Sequence, residues 1–215
     1  MNILVYLFCI LPFISSSPET QDVGFTQDWF SSKIPLWQEQ LAHFDKKKNL
    51  HFLEIGSFEG RSALWLLENI LKHPSSRLTC IDPWKTIEKV YTRFKNNIKK
   101  HEKKVKVIRD TASNALRKYE TVPIFDFIYV DGGHEGYTTM ESMVLSFPLL
   151  KPGGLVIIDD YKWMPELPED ERPQLAVDTF VRLFTKEIKV LHKGYQFIFK
   201  KKNDPIIKTE KKKEL

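Results

Sequence analysis

The chain has 215 residues, of which 42% are hydrophobic and 13% aromatic, a composition that suits one globular domain with a single core. Its net charge of +5 comes largely from four lysine-rich runs, Lys46–Lys48, Lys99–Lys104, Lys200–Lys202 and Lys211–Lys213. These runs lack the interleaved aromatic residues of a surface that binds single-stranded nucleic acid. We therefore expect solvated helix faces and a loose tail rather than a nucleic acid site. Two cysteines, Cys9 and Cys80, are too few for a disulfide framework or a cysteine zinc site. We expect Cys80 to be a small buried hydrophobe within a strand.

Both ends of the chain carry segments that resemble targeting signals. The apolar run Ile3–Ile14, followed by Ser15–Ser17, resembles a secretory signal and is too short for an ordinary membrane span. No Lys or Arg precedes the run and Pro18 fits a cleavage site poorly, so residues 1–17 are either a signal or an N-terminal extension. The ending Lys212–Leu215 loosely resembles an ER-retention signal. If both segments act as targeting signals, we expect the protein to enter the ER lumen, and otherwise to be cytoplasmic. In neither case do we expect a stable membrane span.

Hydrophobic periodicity predicts alternating strands and helices between residues 21 and 199. The predicted elements are a helical N-terminal segment (21–44, with Pro35 at a helix start), a strand (50–55), a helix (61–70), a strand (78–81), a helix (86–100), a strand (105–108), a helix (112–119), a strand (125–130), a helix (137–150), a strand (155–158), a loop (163–173), a helix (174–184) and a hairpin (189–191 with 195–199). This alternation predicts an α/β fold, a doubly wound Rossmann-like sheet with helices on both faces. The hairpin adds an antiparallel strand, and residues 203–215 form a lysine-rich disordered tail.

The N-terminal segment is expected either to pack on the sheet edge or to cover a ligand.

The turn after the first strand reads E-x-G-x-x-x-G, from Glu54 to Gly60. Gly56 lets the chain fold sharply, and Gly60 lets backbone approach a ligand without a Cβ in the way. An acid at Glu54 repels a pyrophosphate but attracts an ammonium, and the helix N-terminus that follows suits a carboxylate. The turn therefore favours an amino-acid-like ligand such as S-adenosylmethionine, with a ligand-free βα turn as the alternative.

Acidic residues recur where the predicted strands end, which is the edge at which doubly wound sheets bind ligands. They are Glu54, Asp82, Asp131, Asp159 and Asp160, with Asp110 just after the third strand. Asp82 is placed to accept both hydroxyls of a ribose, or else to cap a turn, and Trp84 beside it would flank an adenine or wall the site.

Three of these acids and one histidine predict chemistry at the same edge. Asp131, Asp159 and Asp160 follow strands expected to be neighbours, and oxygen ligands of this kind suit Mg²⁺, with three separate loop caps as the alternative. His134 follows Asp131 by three residues and is expected either to take a proton from a substrate hydroxyl or to be a solvated loop residue.

Taken together, the segments LEIGSFEGRS, CIDPW, FIYVDGGHEGY and LLKPGGLVIIDDY resemble a class I S-adenosylmethionine-dependent methyltransferase. Within that class they resemble the group that includes macrocin-type sugar O-methyltransferases and cephalosporin-hydroxylase-like proteins. With FTQDWF near Phe25, the resemblance covers about residues 25–200. It implies a single domain there and a seven-stranded sheet of order 3-2-1-4-5-7-6.

The resemblance also implies roles for individual residues. It places Glu54, Gly56, Ser57 and Gly60 around the methionine part of S-adenosylmethionine, Asp82 on its ribose, and Asp110 and Thr111 on its adenine. Metal-dependent members would hold Mg²⁺ with residues at the positions of Asp131, Asp159 and Asp160, and His134 stands where some members carry a lysine base.

The implied activity is O-methylation of a small-molecule hydroxyl, with Mg²⁺ assistance. Two alternatives are a non-catalytic cofactor-binding protein and a hydroxylase-like enzyme on the same fold. The sequence leaves the oligomeric state open.

Overall fold

The structure, a computed structural model, describes residues 24–85 and 88–203. A seven-stranded sheet forms the centre of this part of the chain. The strands are β1 (His51–Ile55), β2 (Arg77–Ile81), β3 (Val105–Ile108), β4 (Phe125–Val130), β5 (Leu150–Ile158), β6 (Ile188–Lys193) and β7 (Phe197–Lys201). Their order is β3-β2-β1-β4-β5-β7-β6, which confirms the predicted order. β7 runs antiparallel to both of its neighbours, so the final hairpin adds one antiparallel strand, as expected. The N-terminal apolar run with Cys9, the predicted helix start at Thr86 and the tail beyond Asn203 lie outside the described residues.

Helices cover both faces of this sheet. They are α1 (Ile34–Leu41), α2 (Arg61–Asn69), α3 (Glu88–Ile98), α4 (Ala112–Leu116), α5 (Gly136–Ser146) and α6 (Pro173–Leu183). Successive strand residues point to opposite faces, so Phe52 joins the core under α1, α2 and α3, whereas Leu53 joins the core under α4, α5 and α6. None of the helices in the described part of the chain combines the length and the apolar character that a bilayer crossing requires.

The N-terminal segment packs on the face of the sheet rather than on its edge. Pro35 lies in the first turn of α1, where its missing N–H costs no hydrogen bond. Trp37 of this helix is fully buried, with its ring edge-on to Tyr129 of β4 at 4.7 Å between centroids. Its indole N–H donates to Oε1 of Gln196 at 2.9 Å. This arrangement places the residues just before α1 above the carboxyl ends of the central strands.

The boundaries of β5 and α5 differ from those expected. The sequence from Lys151 to Gly154 predicts a loop, yet β5 already begins at Leu150, which pairs with Phe125. The pairing of β4 with β5 shifts register just beyond Phe125, so the Pro and the two Gly lie in an irregular part of the ladder, where such residues are tolerated. α5 correspondingly ends at Ser146, and a short 3₁₀ turn replaces its predicted last turn.

Candidate functional site

A cavity of about 1380 Å³ lies beyond the carboxyl ends of β1, β2 and β4. The N-terminal segment forms its opposite wall through residues between Phe25 and Leu36. Seven of the residues singled out from the sequence line it: Gly56, Ser57, Asp82, Thr111, Asp131, His134 and Asp160. The other five, Glu54, Gly60, Trp84, Asp110 and Asp159, lie behind or beside it.

The glycine turn after β1 is in direct contact with the chain that leaves β4. Gly56 has a φ of 84°, and its N–H donates to the carbonyl oxygen of Ile81 at 2.8 Å. A Cβ at this position would lie 1.8 Å from the carbonyl oxygen of Asp131. Only glycine therefore permits the two chain segments to meet at the floor of the cavity.

The Asp82 carboxylate organises this turn. Its Oδ2 accepts hydrogen bonds from the backbone N–H groups of Ser57 and Phe58, both at 3.0 Å, and its Oδ1 accepts from that of Trp84 at 2.8 Å. A carboxylate has about four acceptor positions, so these three bonds leave roughly one for a ligand. The structure thus leaves room at Asp82 for one ligand hydroxyl, whereas the sequence suggested two.

Glu54 lies beneath the turn and does not line the cavity. It is fully buried, and its two carboxylate oxygens accept hydrogen bonds from the hydroxyls of Ser57 at 2.7 Å and Ser62 at 2.6 Å. Burial raises the pKa of this carboxyl to about 7 despite those bonds. Ser57 stands between Glu54 and the cavity, so the predicted contact of Glu54 with an ammonium group is not direct.

We expect Glu54 to make stability depend on pH in a defined window. Because its pKa is about 7 in the folded state and 4.5 unfolded, the folded protein binds more protons between those values. Stability should therefore fall as pH rises from about 4.5 to 7, by about 3 kcal/mol for this group. Urea unfolding of the wild type and of Glu54→Gln across this range measures the effect, since the variant lacks the titration. Equal pH dependence in the two proteins would contradict the assignment.

Gly60 and Trp84 serve packing behind the turn. Gly60 has a φ of 81°, and a Cβ there would lie 2.8 Å from the ring of Phe94 on α3, so the close approach is to a helix side chain rather than to a ligand. The Trp84 ring packs against Tyr91 and Phe94, and its N–H donates to the carbonyl oxygen of Phe58 at 2.8 Å. Trp84 therefore neither flanks an adenine nor walls the cavity in this arrangement, because the residue is only 4% exposed and its ring packs against α3.

The side chains of Asp110 and Thr111, which follow β3, have different surroundings. The Asp110 carboxylate pairs with Lys118 at 2.9 Å and accepts from the Asn114 amide, and these bonds lower its pKa to about 2. Thr111 caps α4, its hydroxyl accepting the N–H of Asn114 at 3.2 Å, and it lines the cavity. Of the two residues predicted to contact adenine, Thr111 is the one that faces the cavity.

The acidic residues after β4 and β5 lie close together, but their carboxylates are already bonded to other side chains. The Tyr129 hydroxyl lies 2.7 Å from Oδ2 of Asp131 and 2.5 Å from Oδ2 of Asp159. Burial, together with the neighbouring Asp159, raises the pKa of Asp131 well above its ordinary value. Lys33 forms an ion pair with the same Asp159 oxygen. These contacts make a continuous polar chain from Asp131 through Tyr129 and Asp159 to Lys33.

His134 and Asp160 form a separate pair at the cavity wall. Nδ1 of His134 lies 2.8 Å from Oδ2 of Asp160, and the imidazole stacks on the Trp163 ring at 4.8 Å between centroids. The hydrogen bond to Asp160 raises the pKa of His134. Since the carboxylate accepts, Nδ1 carries the hydrogen, and Nε2 of the neutral ring is left as a base.

The donor set does not fit the Mg²⁺ site expected from the sequence. Within residues 24–85 and 88–203, no three His, Cys, Asp or Glu side chains are grouped so that they could hold a metal ion. The reason lies in the contacts of the predicted ligands: Asp159 is bonded to Lys33 and Tyr129, and Asp160 to His134.

Sequence reasoning missed Lys33, Tyr129 and Glu59. The sequence could have indicated Tyr129, because it precedes Asp131 by two residues and its side chain is therefore expected on the same face of the sheet. It gives no such indication for Lys33, since its partner Asp159 is 126 residues away. Glu59 is buried and accepts from the N–H and hydroxyl of Thr26, both at 2.6 Å, and from Arg93 at 2.5 Å. It thereby fastens the N-terminal segment over the cavity.

Comparison with known proteins identifies the family to which this chain belongs. Residues 53–161 match the profile of a family described as a methyltransferase domain. A curated relative, uncharacterized protein R132 of Acanthamoeba polyphaga mimivirus, is 25% identical over 146 residues, which are 60% of this chain and 61% of that protein. The match thus spans less than two thirds of the relative's length.

Solved structures share the fold at lower identity. The O-methyltransferase from Bacillus cereus, in complex with SAH (S-adenosylhomocysteine), superposes with a TM-score of 0.63 at 19% identity, over 83% of this chain and 84% of that one. MycE methyltransferase from the mycinamycin biosynthetic pathway, in complex with Mg, SAH and mycinamycin VI, gives a TM-score of 0.57 at 17% identity, over 82% of this chain and 51% of that one. At these identities the likeness establishes the architecture of the sheet and its helices.

Proposed function

This chain belongs to the methyltransferase-domain family whose profile residues 53–161 match, and we propose that it is a class I S-adenosylmethionine-dependent enzyme that transfers a methyl group to a hydroxyl oxygen of a small-molecule acceptor. The observation that carries the proposal is that one cavity is lined both by the glycine turn that Asp82 organises and by the His134–Asp160 pair. The turn suits the cofactor, and the pair suits deprotonation of the acceptor.

The cavity fits a nucleoside cofactor together with an acceptor. Its volume of about 1380 Å³ exceeds the roughly 300–1,000 Å³ of an ordinary small-molecule pocket. Ser57 and the remaining acceptor position of Asp82 lie on the side of the glycine turn, and Thr111, which is expected to contact the adenine, lines the same cavity. His134 and Gln196 line the same cavity and would face the acceptor.

The proposed reaction needs a base and correct positioning. Bound S-adenosylmethionine supplies a methyl group that its sulfonium charge already activates. The acceptor oxygen bonds to the methyl carbon as the carbon–sulfur bond breaks, and the hydroxyl proton passes to Nε2 of His134. The products are a methyl ether, S-adenosylhomocysteine and an imidazolium, which the Asp160 carboxylate stabilises at 2.8 Å. Positioning by the cavity walls supplies a further part of the rate.

A buried hydrogen-bond donor, the side-chain amide of Gln196, supports the proposal that the acceptor carries a polar group. Nε2 of Gln196 is buried and has no hydrogen-bond partner among the described residues, while its Oε1 accepts from Trp37 and so fixes which way the amide points. A buried amide N–H that lacks a partner costs about 1–3 kcal/mol. An acceptor oxygen bonded to it would remove that cost. Trp29 and Tyr137, also in the lining, are 63% and 73% exposed and offer aromatic surface to the rest of the acceptor.

Asp82→Asn tests the cofactor side of the proposal. Losing charge-assisted acceptance at the turn should weaken S-adenosylhomocysteine binding roughly 10- to 100-fold. Isothermal titration calorimetry measures the affinity, and thermal melts show whether the turn itself has been lost. Asp110→Asn is the matched control, because that carboxylate pairs with Lys118 outside the cavity and should change affinity by less than about twofold. Wild-type affinity in a folded Asp82→Asn would contradict the cofactor site.

A further inference from the structure

Lys33 lies at the centre of the acidic side of the cavity. It ends a short 3₁₀ turn (Ser31–Lys33) directly before α1, and its side chain is 16% exposed. Its ammonium forms an ion pair with Oδ2 of Asp159, whose side chain is only 1% exposed. The ammonium also lies 5.8 Å from the centre of the Tyr195 ring. A lysine held this deeply beside a buried carboxylate is unlike an exposed surface pair, which contributes little.

The contacts of Asp159 leave little room for a second cation. The oxygen that Lys33 contacts also lies 2.5 Å from the Tyr129 hydroxyl, and the other carboxylate oxygen accepts the N–H of Asp160 at 2.8 Å. A divalent ion at this carboxylate would have to displace the ammonium. The charge of Lys33 also acts on Asp131 and Asp160, the other two acids of the predicted metal site.

We propose that the Lys33 ammonium takes the place that a divalent ion would have among Asp131, Asp159 and Asp160, so that the site works with a cation from its own chain. This inference rests on the proposed function. Lys33 lines the cavity, and an ammonium has three N–H donors, so donors remain after the bond to Asp159. In this proposal those donors stabilise the negative charge that develops on an acceptor oxygen, as a metal would.

The test is Mg²⁺ binding with and without this ammonium, in the presence of S-adenosylhomocysteine. The full chain should show neither calorimetric Mg²⁺ binding nor a rise in melting temperature at millimolar Mg²⁺. Lys33→Met keeps much of the side chain's bulk but removes the charge, and it should bind Mg²⁺ at least about tenfold more tightly than the wild type. Lys48→Met, at an exposed position beyond α1, should behave like the wild type.

The outcomes separate this inference from the proposed function. Sub-millimolar Mg²⁺ binding by the wild type would overturn the role of Lys33 even if S-adenosylhomocysteine binds normally, and so would a folded Lys33→Met with unchanged Mg²⁺ affinity. Failure of the wild type to bind S-adenosylhomocysteine would instead overturn the proposed function itself. Should Lys33→Met not fold, sub-millimolar Mg²⁺ binding by the wild type would still overturn the role of Lys33.

Discussion

His134→Ala should lower turnover by roughly 10²- to 10⁴-fold, the usual contribution of a positioned general base. Nε2 of His134 is the proposed base, because Nδ1 is bonded to Asp160 at 2.8 Å. S-adenosylhomocysteine affinity should change by less than about twofold, since the glycine turn and Asp82 are untouched. Formation of S-adenosylhomocysteine, followed with an acceptor taken from a screen of hydroxyl compounds, gives the rate, and calorimetry gives the affinity.

The pH profile distinguishes a base from a residue that only shapes the cavity. The neutral imidazole is the active form, and the bond to Asp160 raises the pKa of His134 above 6.5. Activity should therefore rise with pH through a midpoint above that value, and Asp160→Asn should move the midpoint downward. His192→Ala, which removes another imidazole from the same lining, is the matched control. A His134→Ala enzyme with the wild-type rate and profile would show that the proton goes elsewhere.

Gly56→Ala should destabilise the fold by roughly 3–5 kcal/mol, which is large for a single methyl group. Two costs combine: the φ of 84° is unfavourable for alanine, and the new Cβ would lie 1.8 Å from the Asp131 carbonyl oxygen and 2.5 Å from its carbonyl carbon. Because both partners are backbone, neither can move without separating β1 from β4 at the floor of the cavity. Urea unfolding measures the loss, and cofactor binding should disappear with it.

Gly132→Ala is the matched control for this prediction. A Cβ at Gly132 would lie 3.4 Å from a methyl group of Ile55, close to ordinary contact, so its cost should stay below about 1 kcal/mol. Similar losses in the two variants would contradict the assignment of the cost at Gly56 to its φ of 84° and to the clash with Asp131.

The sequence predicted the sheet well because its signals are local. Strand-length apolar runs alternate with helical patterns, and most glycine or proline clusters between them mark an end. The start of β5 was misjudged because Lys151–Gly154 reads locally as a turn, whereas its inclusion in the strand depends on pairing with β4. Such pairing is a tertiary effect that overrides propensity.

The site was predictable in its chemistry but not in its contacts. Strand ends bring Asp82, Asp131 and Asp160 to one edge, and the sequence indicates that edge directly. Which way each side chain turns depends on neighbours distant in sequence. Trp84 turns toward α3 because Phe94 offers it an aromatic partner, and Asp159 meets Lys33 through the docking of α1.

The buried Glu59 has a consequence for what counts as the functional unit. It ties Thr26 to Arg93, and thus the stretch that carries Lys33 to the helix after β2. The region that matches the family, residues 53–161, contains neither Lys33 nor Gln196. A fragment cut to that region would keep the glycine turn and His134. It would lose the N-terminal wall of the cavity, and with it Lys33, the only lysine paired with Asp159 within residues 24–85 and 88–203. Under the proposed function, the smallest active piece of this protein is therefore larger than residues 53–161, and it includes Thr26.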